Sequence, residues 1–137
     1  MNIEIKKILS EDVWPIRQEV MYPNDTLESI KLPKDNIGKH FGLFDEDGLA
    51  SIVSVFVENK KLQFRKLATI NNKQRRGYAS MLLDYIFEKA GEYEIELIWC
   101  NARVQKIAFY EKFGICTTDK KYSRNEIDYI VMMKGYN

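Results

Sequence analysis

Residues 74–79 read Gln-Arg-Arg-Gly-Tyr-Ala and stand between a strand-like run, 62–69, and an amphipathic helical run, 78–90. A basic turn that bears a glycine and leads into a helix is typical of an anion site. The unpaired N–H groups of a first helical turn point along the axis, where the helix dipole adds partial positive charge. Gly77 has no Cβ, so an anion can come close to the backbone. The turn therefore predicts a phosphate site, and a plain solvated connection is the alternative.

A second strand-to-helix unit follows, with Ile-Glu-Leu-Ile-Trp-Cys-Asn-Ala-Arg at 95–103 and Ala-Phe-Tyr-Glu-Lys-Phe-Gly at 108–114. With the two units in this order and spacing, the chain resembles the GCN5-related N-acetyltransferase (GNAT) family, especially its small single-domain bacterial-type members. The resemblance covers most of the chain. It implies that the first turn holds the pyrophosphate of coenzyme A and that a tyrosine of the second helix lies near the thioester sulfur.

Hydrophobic periodicity predicts one order of elements along the chain: β, α, loop, three β, α, β, α and two β. Two turns, Asp45 to Gly48 and Asn59-Lys60, join the three central strands into an antiparallel meander. We expect an α/β (α+β) fold like that of the resembled family, with a mixed, mostly antiparallel sheet of about six or seven strands and helices on both faces. The predicted strands are 3–8, 40–44, 49–58, 62–69, 95–99, 115–118 and 127–134.

The size and charge of the chain limit its partners. Its 137 residues fit one domain, 1–137, that can bury a core. Because the 21 Lys and Arg residues nearly balance the 20 Asp and Glu residues, a strongly electrostatic partner such as duplex DNA or an anionic membrane is not expected. No run is long and apolar enough to span a bilayer, and the first residues lack a signal-peptide core. We expect a soluble cytoplasmic protein that binds no nucleic acid and no membrane. The oligomeric state is left open, and a homodimer is among the states allowed.

The two cysteines, Cys100 and Cys116, have neither metal-ligand spacing nor the density of a disulfide scaffold. We expect buried free thiols and no metal site. A nucleophilic cysteine would need a histidine base, and the only histidine, His40, is distant in sequence. A cysteine enzyme is therefore the weaker interpretation.

The third meander strand changes its phase partway along. Leu62 and Phe64 alternate as strand residues, Lys66 interrupts the pattern, and Leu67 and Ala68 follow, which predicts a β-bulge. In the resembled family a bulge here separates this strand from the next, and the pantetheine arm of coenzyme A enters the opening. The resemblance implies that the arm is lined by Leu67, Ala68 and Thr69.

The resemblance also assigns roles to single residues, with acetyl-CoA as the cosubstrate. Asn101 would bond the pantetheine amides, and it also fits a plain helix cap. Tyr110 would stabilise the departing thiolate as a proton donor, and its alternative is a tyrosine packed under the sheet edge. The pyrophosphate would be held mainly by the backbone of the turn and the first helical residues: Gln74, Arg75, Arg76, Gly77, Tyr78, Ala79 and Ser80.

The base for the acceptor amine is not determined by the sequence. An alkylamine must lose a proton before it attacks, and no single residue stands out as the group that takes this proton. Four residues are conceivable bases, and a water chain is another route. The similar small enzymes also imply acceptor contacts from Arg17 and from His40-Phe41-Gly42. Where they often place a histidine in the last strand, this chain has Asp128-Tyr129-Ile130. The conceivable bases are Glu58, His40, Glu96 and Asp128.

Together these features predict an N-acetyltransferase that transfers acetyl from acetyl-CoA directly to an amine of a small molecule or a peptide terminus. One alternative is a non-catalytic acyl-CoA-binding or regulatory module of the same fold. Another is an unrelated nucleotide-binding protein, although the turn lacks the Gly-Lys-Ser/Thr of a P-loop and the Gly-x-Gly-x-x-Gly of a dinucleotide fold.

Overall fold

The computed structural model describes residues 2–135 and contains a seven-stranded sheet in the order β1-β2-β3-β4-β5-β7-β6. β4 and β5 run parallel, and every other neighbouring pair is antiparallel. The predicted mixed, mostly antiparallel sheet is confirmed. The strands are β1 (Glu4–Ile8), β2 (Lys39–Asp45), β3 (Gly48–Glu58), β4 (Lys61–Thr69), β5 (Leu97–Arg103), β6 (Cys116–Arg124) and β7 (Ile127–Gly135).

Helices cover both faces of the sheet, as predicted. α1 (Ser10–Ile16) continues as a π-helix (Arg17–Met21) and packs on one face, where Val13 meets Ile52 and Ala68. α2 (Tyr78–Ala90) and α3 (Ile107–Glu111) pack on the other face in the larger apolar cluster. No helix within residues 2–135 has the length and apolar character needed to cross a bilayer. Short 3₁₀ turns are Glu28–Ile30, Asn71–Lys73 and Val104–Lys106.

Local turn chemistry sets the strand ends at two hairpins, between β3 and β4 and between β6 and β7. Asn59 and Lys60 have φ of 52° and 63°, and Asn125 and Glu126 have φ of 53° and 66°. Positive φ at both central residues is the mark of a type I′ hairpin, which matches the twist of the strands that it joins. β6 is much longer than the predicted 115–118, because this edge strand is exposed along most of its length and so lacks an apolar alternation.

The bulge predicted from the phase change of the third meander strand is confirmed in β4. Ser54 pairs with Arg65, whereas Ile52 pairs with Ala68, so β4 carries one residue more than β3 over this interval. Lys66 has φ of 56°, a left-handed conformation that a single bulged residue adopts. The extra residue re-aims the second half of β4.

β4 and β5 pair over a short length only, and the last pair joins Gln63 to Trp99. Both strands continue beyond it, over 64–69 in β4 and over 100–103 in β5, without pairing to each other within the described residues. We call the space between these two stretches the gap. Its narrow end lies beside the Gln63–Trp99 pair.

A polar network lies buried beneath the π-helix. Arg17 is fully buried and donates to both carboxylate oxygens of Asp35, at 2.7 and 2.9 Å, and to Ser54 Oγ at 2.8 Å. His40 Nε2 donates to the Asp35 carbonyl at 2.9 Å, and its Nδ1 lies 2.7 Å from Ser54 Oγ. The network thus joins the π-helix to the segment before β2, to β2 and to β3. Arg17 and His40 are structural here and not exposed acceptor contacts.

Asp35 stays ionised in this network. Burial raises the pKa of its carboxyl, but hydrogen bonds from Arg17, the Leu32 N–H and Trp14 outweigh burial and bring the pKa to about 2. A pair of this kind is costly to break from one side, because the remaining charge is left buried and uncompensated.

Asp35→Asn leaves the Arg17 guanidinium buried without its counter-charge, so we expect the free energy of unfolding to fall by about 3 to 5 kcal/mol. Urea denaturation at neutral pH measures this. The matched control is Glu28→Gln, which breaks the exposed pair of Glu28 with Lys31 at 2.9 Å. That change should cost less than about 1 kcal/mol. Equal costs for the two variants would contradict a stabilising role for the buried pair.

The same comparison has an expected pH dependence. The pKa of Asp35 in the fold, about 2, lies below its ordinary value of 3.8. The ionised carboxylate therefore stabilises the fold above about pH 4, and this contribution disappears as the pH falls through the folded pKa. The stability difference between the wild type and Asp35→Asn should be constant from pH 7 to about pH 5 and should shrink toward pH 2. A difference that grows on acidification would contradict the assignment.

Candidate active site

The turn predicted to bind phosphate forms an open pocket of backbone N–H groups. Arg75 and Gly77 have φ of 66° and 82°, and residues 74–77 are exposed. A Cβ built at Gly77 meets no described atom within 4 Å. No described side chain caps α2, and the Met81 N–H donates to the Gly77 carbonyl at 3.0 Å. The N–H groups of 78–80 therefore precede the first helical bond and are available to an anion.

A buried ion pair anchors this turn to the sheet. Lys73 Nζ lies 2.8 Å from Asp45 Oδ2 and 2.5 Å from Asp47 Oδ2. The Tyr78 hydroxyl donates to the same Asp45 oxygen at 2.9 Å, so the Tyr78 side chain points into the core and only its backbone faces the turn. The hydrogen bond from Lys73 lowers the pKa of Asp45 to about 2, and the bond to Asp45 raises the pKa of Lys73 to about 12. Sequence reasoning missed this anchor, because no local pattern marks it.

The side chains of the turn divide into two groups. Gln74 Nε2 donates to the Thr69 carbonyl at 3.0 Å, and Arg76 Nη2 approaches the Asn72 carbonyl at 3.5 Å. Both side chains thus hold the turn itself. Arg75 is exposed and makes no hydrogen bond or ion pair with a described residue. Arg75 therefore has its whole guanidinium available to an anion, and Arg76 keeps its other N–H donors available.

One acidic group among the described residues has spacing that suits a metal ion. Ligand atoms of Asp45, Glu46 and Asp47 lie within 4.8 Å of one another. The Lys73 ammonium contacts two of the three carboxylates and already balances part of their charge. The sequence-based expectation of no metal stays a prediction.

Tyr110 lies at the narrow end of the gap. Its ring centroid is 5.8 Å from that of Phe64, the first residue of β4 beyond the last pair with β5. Its hydroxyl interacts electrostatically with Cys100, the first residue of β5 beyond that pair, and with Arg103. Within residues 2–135 the hydroxyl makes no hydrogen bond, and it is not fully buried. It is therefore open to a group that enters the gap.

Burial sets the protonation of both groups at this end. Burial, helped by the nearby Cys100, raises the pKa of Tyr110, and Arg103 opposes the shift only in part. Burial also raises the pKa of the Cys100 thiol to about 12. Tyr110 is thus a donor at neutral pH, and Cys100 is a protonated thiol rather than a nucleophile. Cys116 is exposed, and its predicted burial is wrong because it opens the exposed edge strand β6.

The predicted lining of the gap lies on β4 beyond its pairing with β5. Leu67 packs against the cluster on the α2 face, and Ala68 packs on the α1 face. The Thr69 hydroxyl lies 2.8 Å from Ser51 Oγ, so its side chain is engaged inside the sheet. These residues offer mainly their backbone to the gap.

Asn101 occupies a different position from the one that a helix cap requires. It pairs with Val131 in the middle of β5, and a 3₁₀ turn at Val104–Lys106 separates it from α3. The predicted capping role is wrong, because a strand continues through this residue. Its exposed side chain alternates with Cys100 and so projects from the opposite face of the sheet.

An open cleft of about 530 Å³ lies on the α1 face beside the narrow end of the gap. Gln63 and Trp99, the last pair between β4 and β5, both line it. A cleft of this size suits a small molecule. Its lining residues are Leu32, Pro33, Lys34, Phe56, Glu58, Asn59, Lys61, Gln63, Arg65 and Trp99.

The four conceivable bases lie apart from one another. Glu58 lines the cleft, where its carboxylate lies 3.5 Å from Lys34 Nζ. His40 is buried in the network beneath the π-helix. Glu96 and Asp128 are exposed and do not line the cleft. Of the four, only Glu58 lines the cleft, and its carboxylate is paired with Lys34.

Comparisons with known proteins agree with this architecture. A sequence model of the family described as "Acetyltransferase (GNAT) domain" matches residues 16–135. YitI of Bacillus subtilis strain 168, named an uncharacterized N-acetyltransferase, is 28% identical over 121 residues, which are 82% of this chain and 81% of YitI. The ribosomal-protein-S18-alanine N-acetyltransferase of Escherichia coli has a similar structure, with a TM-score of 0.81 and 17% identity over 98% of this chain and 94% of that one. A GNAT family acetyltransferase of Elizabethkingia anophelis with acetyl-CoA bound gives a TM-score of 0.76 and 14% identity over 98% and 99%. The chain belongs to the GNAT acetyltransferase family.

Proposed function

We propose that this protein transfers the acetyl group of acetyl-CoA directly to an amine of a small molecule or a peptide terminus. One observation carries the proposal: the turn at 74–77, predicted to bind phosphate, and the Tyr110 side chain lie at the two ends of a single gap. Residues 64–69 span at most about 17 Å at the rise of an extended strand, a length that a pantetheine arm can follow. Family membership supports acetyl transfer, and the relative with acetyl-CoA bound supports the cosubstrate. We regard residues 1–137 as one domain that acts in the cytoplasm.

At the open end of the gap, the pyrophosphate would accept hydrogen bonds from the N–H groups of 78–80. Gly77 keeps the approach free of side-chain atoms, and the helix dipole favours negative charge. The Arg75 guanidinium can add a charge-assisted contact, since no described residue engages it. The exposed turn and the buried Lys73–Asp45 pair that holds it fit an anion bound by backbone N–H groups.

Along the gap, the pantetheine amides would pair with the free side of β4. The Ile70 N–H donates to the Ala50 carbonyl in β3 at 2.9 Å. Because hydrogen bonds alternate from one side of a strand to the other, the polar groups of Thr69 face away from β3. Gln74 already uses the Thr69 carbonyl, which leaves the Thr69 N–H and the backbone of Leu67 for the arm. Asn101 would reach the arm from β5.

At the narrow end, a neutral amine attacks the thioester carbonyl, the new C–N bond forms, and the C–S bond breaks. The thiolate leaves beside Tyr110, and the extra proton on nitrogen passes to solvent. A thiol has a pKa of about 8.5, below that of an ordinary tyrosine, and burial raises the pKa of Tyr110 further. The hydroxyl would therefore stabilise the thiolate chiefly by donating a hydrogen bond, with little net transfer of its proton.

Gly77→Glu should abolish binding of acetyl-CoA, because it puts a side chain and a negative charge where the pyrophosphate would lie. We expect an affinity loss of more than about 100-fold, or about 2.7 kcal/mol. Calorimetric titration with acetyl-CoA measures it, with ATP as the control ligand. Gly48→Glu is the matched variant, since Gly48 also has positive φ and open space around it. Unchanged affinity in Gly77→Glu would remove the assigned phosphate site.

Tyr110→Phe should lower kcat by about 10- to 100-fold, the value of one hydrogen bond to a charged group. Affinity for acetyl-CoA should stay near that of the wild type, because Phe keeps the ring contacts with Phe64 and Phe109. Stopped-flow detection of thiol release with a reactive amine measures the change. The control is Tyr85→Phe, a tyrosine of α2 whose ring contacts Phe41.

Equal turnover in the wild type and Tyr110→Phe would return Tyr110 to a packing role. Tight acetyl-CoA binding with no turnover on any amine would favour the non-catalytic acyl-CoA-binding module instead. ATP binding tighter than acetyl-CoA binding would favour an unrelated nucleotide-binding protein.

A further inference from the structure

The cleft beside the narrow end carries more positive than negative charge. Its charged lining residues are three cations, Lys34, Lys61 and Arg65, and one anion, Glu58. Lys34 and Glu58 are paired with each other at 3.5 Å. Lys61 and Arg65 make no hydrogen bond or ion pair with any described residue. Two cations in the cleft are therefore available to a ligand.

Arg65 is the cation nearer to the expected site of reaction. It stands two residues beyond Gln63 in β4, and strand alternation puts both side chains on the α1 face. Lys61 precedes Gln63 by two residues and lies toward the far end of the cleft. The hairpin of β6 and β7 comes close as well, since burial raises the pKa of Tyr122 and the Arg65 guanidinium opposes that shift. Arg65 thus sits between the cleft and the hairpin.

Part of the cleft wall is apolar. The rings of Phe56 and Trp99 line it from β3 and β5, and Leu32 and Pro33 cover it from the segment before β2. These surfaces suit a hydrocarbon or aromatic body. A ligand that matches the whole cleft therefore combines an apolar body with an anionic group.

We propose that the acceptor is an amine that also carries a carboxylate, as a free apolar or aromatic amino acid does, and that Arg65 binds this carboxylate. The inference rests on the proposed function, because it takes the cleft as the acceptor side of the gap. A guanidinium matches a carboxylate with two parallel hydrogen bonds. In an α-amino acid the amine and the carboxylate share one carbon, so a carboxylate on Arg65 holds the amine beside the narrow end. Lys61 adds favourable charge at longer range.

Other acceptors fit this cleft less well. A simple alkylamine arrives mostly as an ammonium ion, which two uncompensated cations repel. A peptide N-terminus has an amide where the free amino acid has its carboxylate, so Arg65 would be left without its partner. A site built for a charged group discriminates strongly against analogues that lack it.

The test compares matched acceptors in acetyl-CoA-dependent thiol release. Phenylalanine, leucine and methionine are each assayed beside the corresponding amino-acid amide and the decarboxylated amine. We expect kcat/KM for the preferred acid to exceed that of its amide and its amine by about 10- to 100-fold, as one hydrogen-bonded charge pair allows. O-phosphoethanolamine is included as an amine with a different anion.

Arg65→Gln identifies the residue responsible. We expect it to raise KM for the acid by about 10- to 100-fold with little change in kcat, and to leave the decarboxylated amine unaffected. Arg65→Lys keeps the charge but loses the two parallel N–H donors of the guanidinium. Its KM for the acid should lie between those of Arg65→Gln and the wild type. Lys120→Gln is the control, because it removes an exposed cation of β6 outside the cleft. Unchanged acetyl-CoA affinity by calorimetry shows that each variant is folded.

Several results would overturn the inference while acetyl transfer stands: equal activity on acids and amides, a fall in kcat for all acceptors in Arg65→Gln, or a preference for the phosphorylated amine. If acetyl-CoA does not bind to the wild-type protein and no amine reacts, the proposed function itself fails, and the inference fails with it.

Discussion

The early end of the β4–β5 pairing is the constraint on which the site depends. Beyond Gln63 and Trp99 the facing edges of both strands carry backbone N–H and C=O groups without a strand partner. An unsatisfied buried polar group costs about 1 to 3 kcal/mol, so such an opening has to be supported by the rest of the sheet. β4 is held by β3 up to Thr69, and β5 is held by β7 up to Arg103. Each strand is therefore fixed on its outer side, and the opening persists where a peptide-like arm can pair.

Charged side chains that the fold buries fix the two regions that flank this opening. On the α2 face, Lys73 and Asp45 tie the turn at 74–77 to the end of β2. On the α1 face, Asp35 accepts the Leu32 N–H at 2.9 Å as well as the Arg17 guanidinium, so the buried pair also positions the segment that covers the cleft. Neither ion pair touches the expected reacting atoms. Both instead tie loops to the sheet, and removing one partner of either pair would leave a buried charge uncompensated.

The predictable features of this protein are local in sequence. The helix at 78–90, the Asn59-Lys60 turn, the bulge at Lys66 and the glycine-bearing turn at 74–77 all follow from periodicity or from turn-forming residues within a few positions. The buried charges were not predictable, because Arg17 and Asp35 are 18 residues apart and the buried pair of Lys73 with Asp45 also joins positions that are distant in sequence. A lone lysine or aspartate in a sequence is normally a solvated residue. The length of the gap depends on which strands meet in space. Asn101 resembled a helix cap because no local pattern shows that β5 continues through it to Arg103.

The near-neutral charge of the whole chain and the charged cleft are compatible, because electrostatic attraction between exposed groups fades over about 10 Å in ordinary salt. A net charge of +1 describes only the field far from the protein. Within the cleft, Arg65 stands beside apolar walls and has no described counter-charge, so its field is weakly screened where an acceptor would lie. A ligand that covers the half-buried Arg65 without supplying an anion leaves the guanidinium both desolvated and unpaired, which is costly. On the proposed assignment, selectivity would arise as much from the penalty on the wrong acceptor as from attraction to the right one.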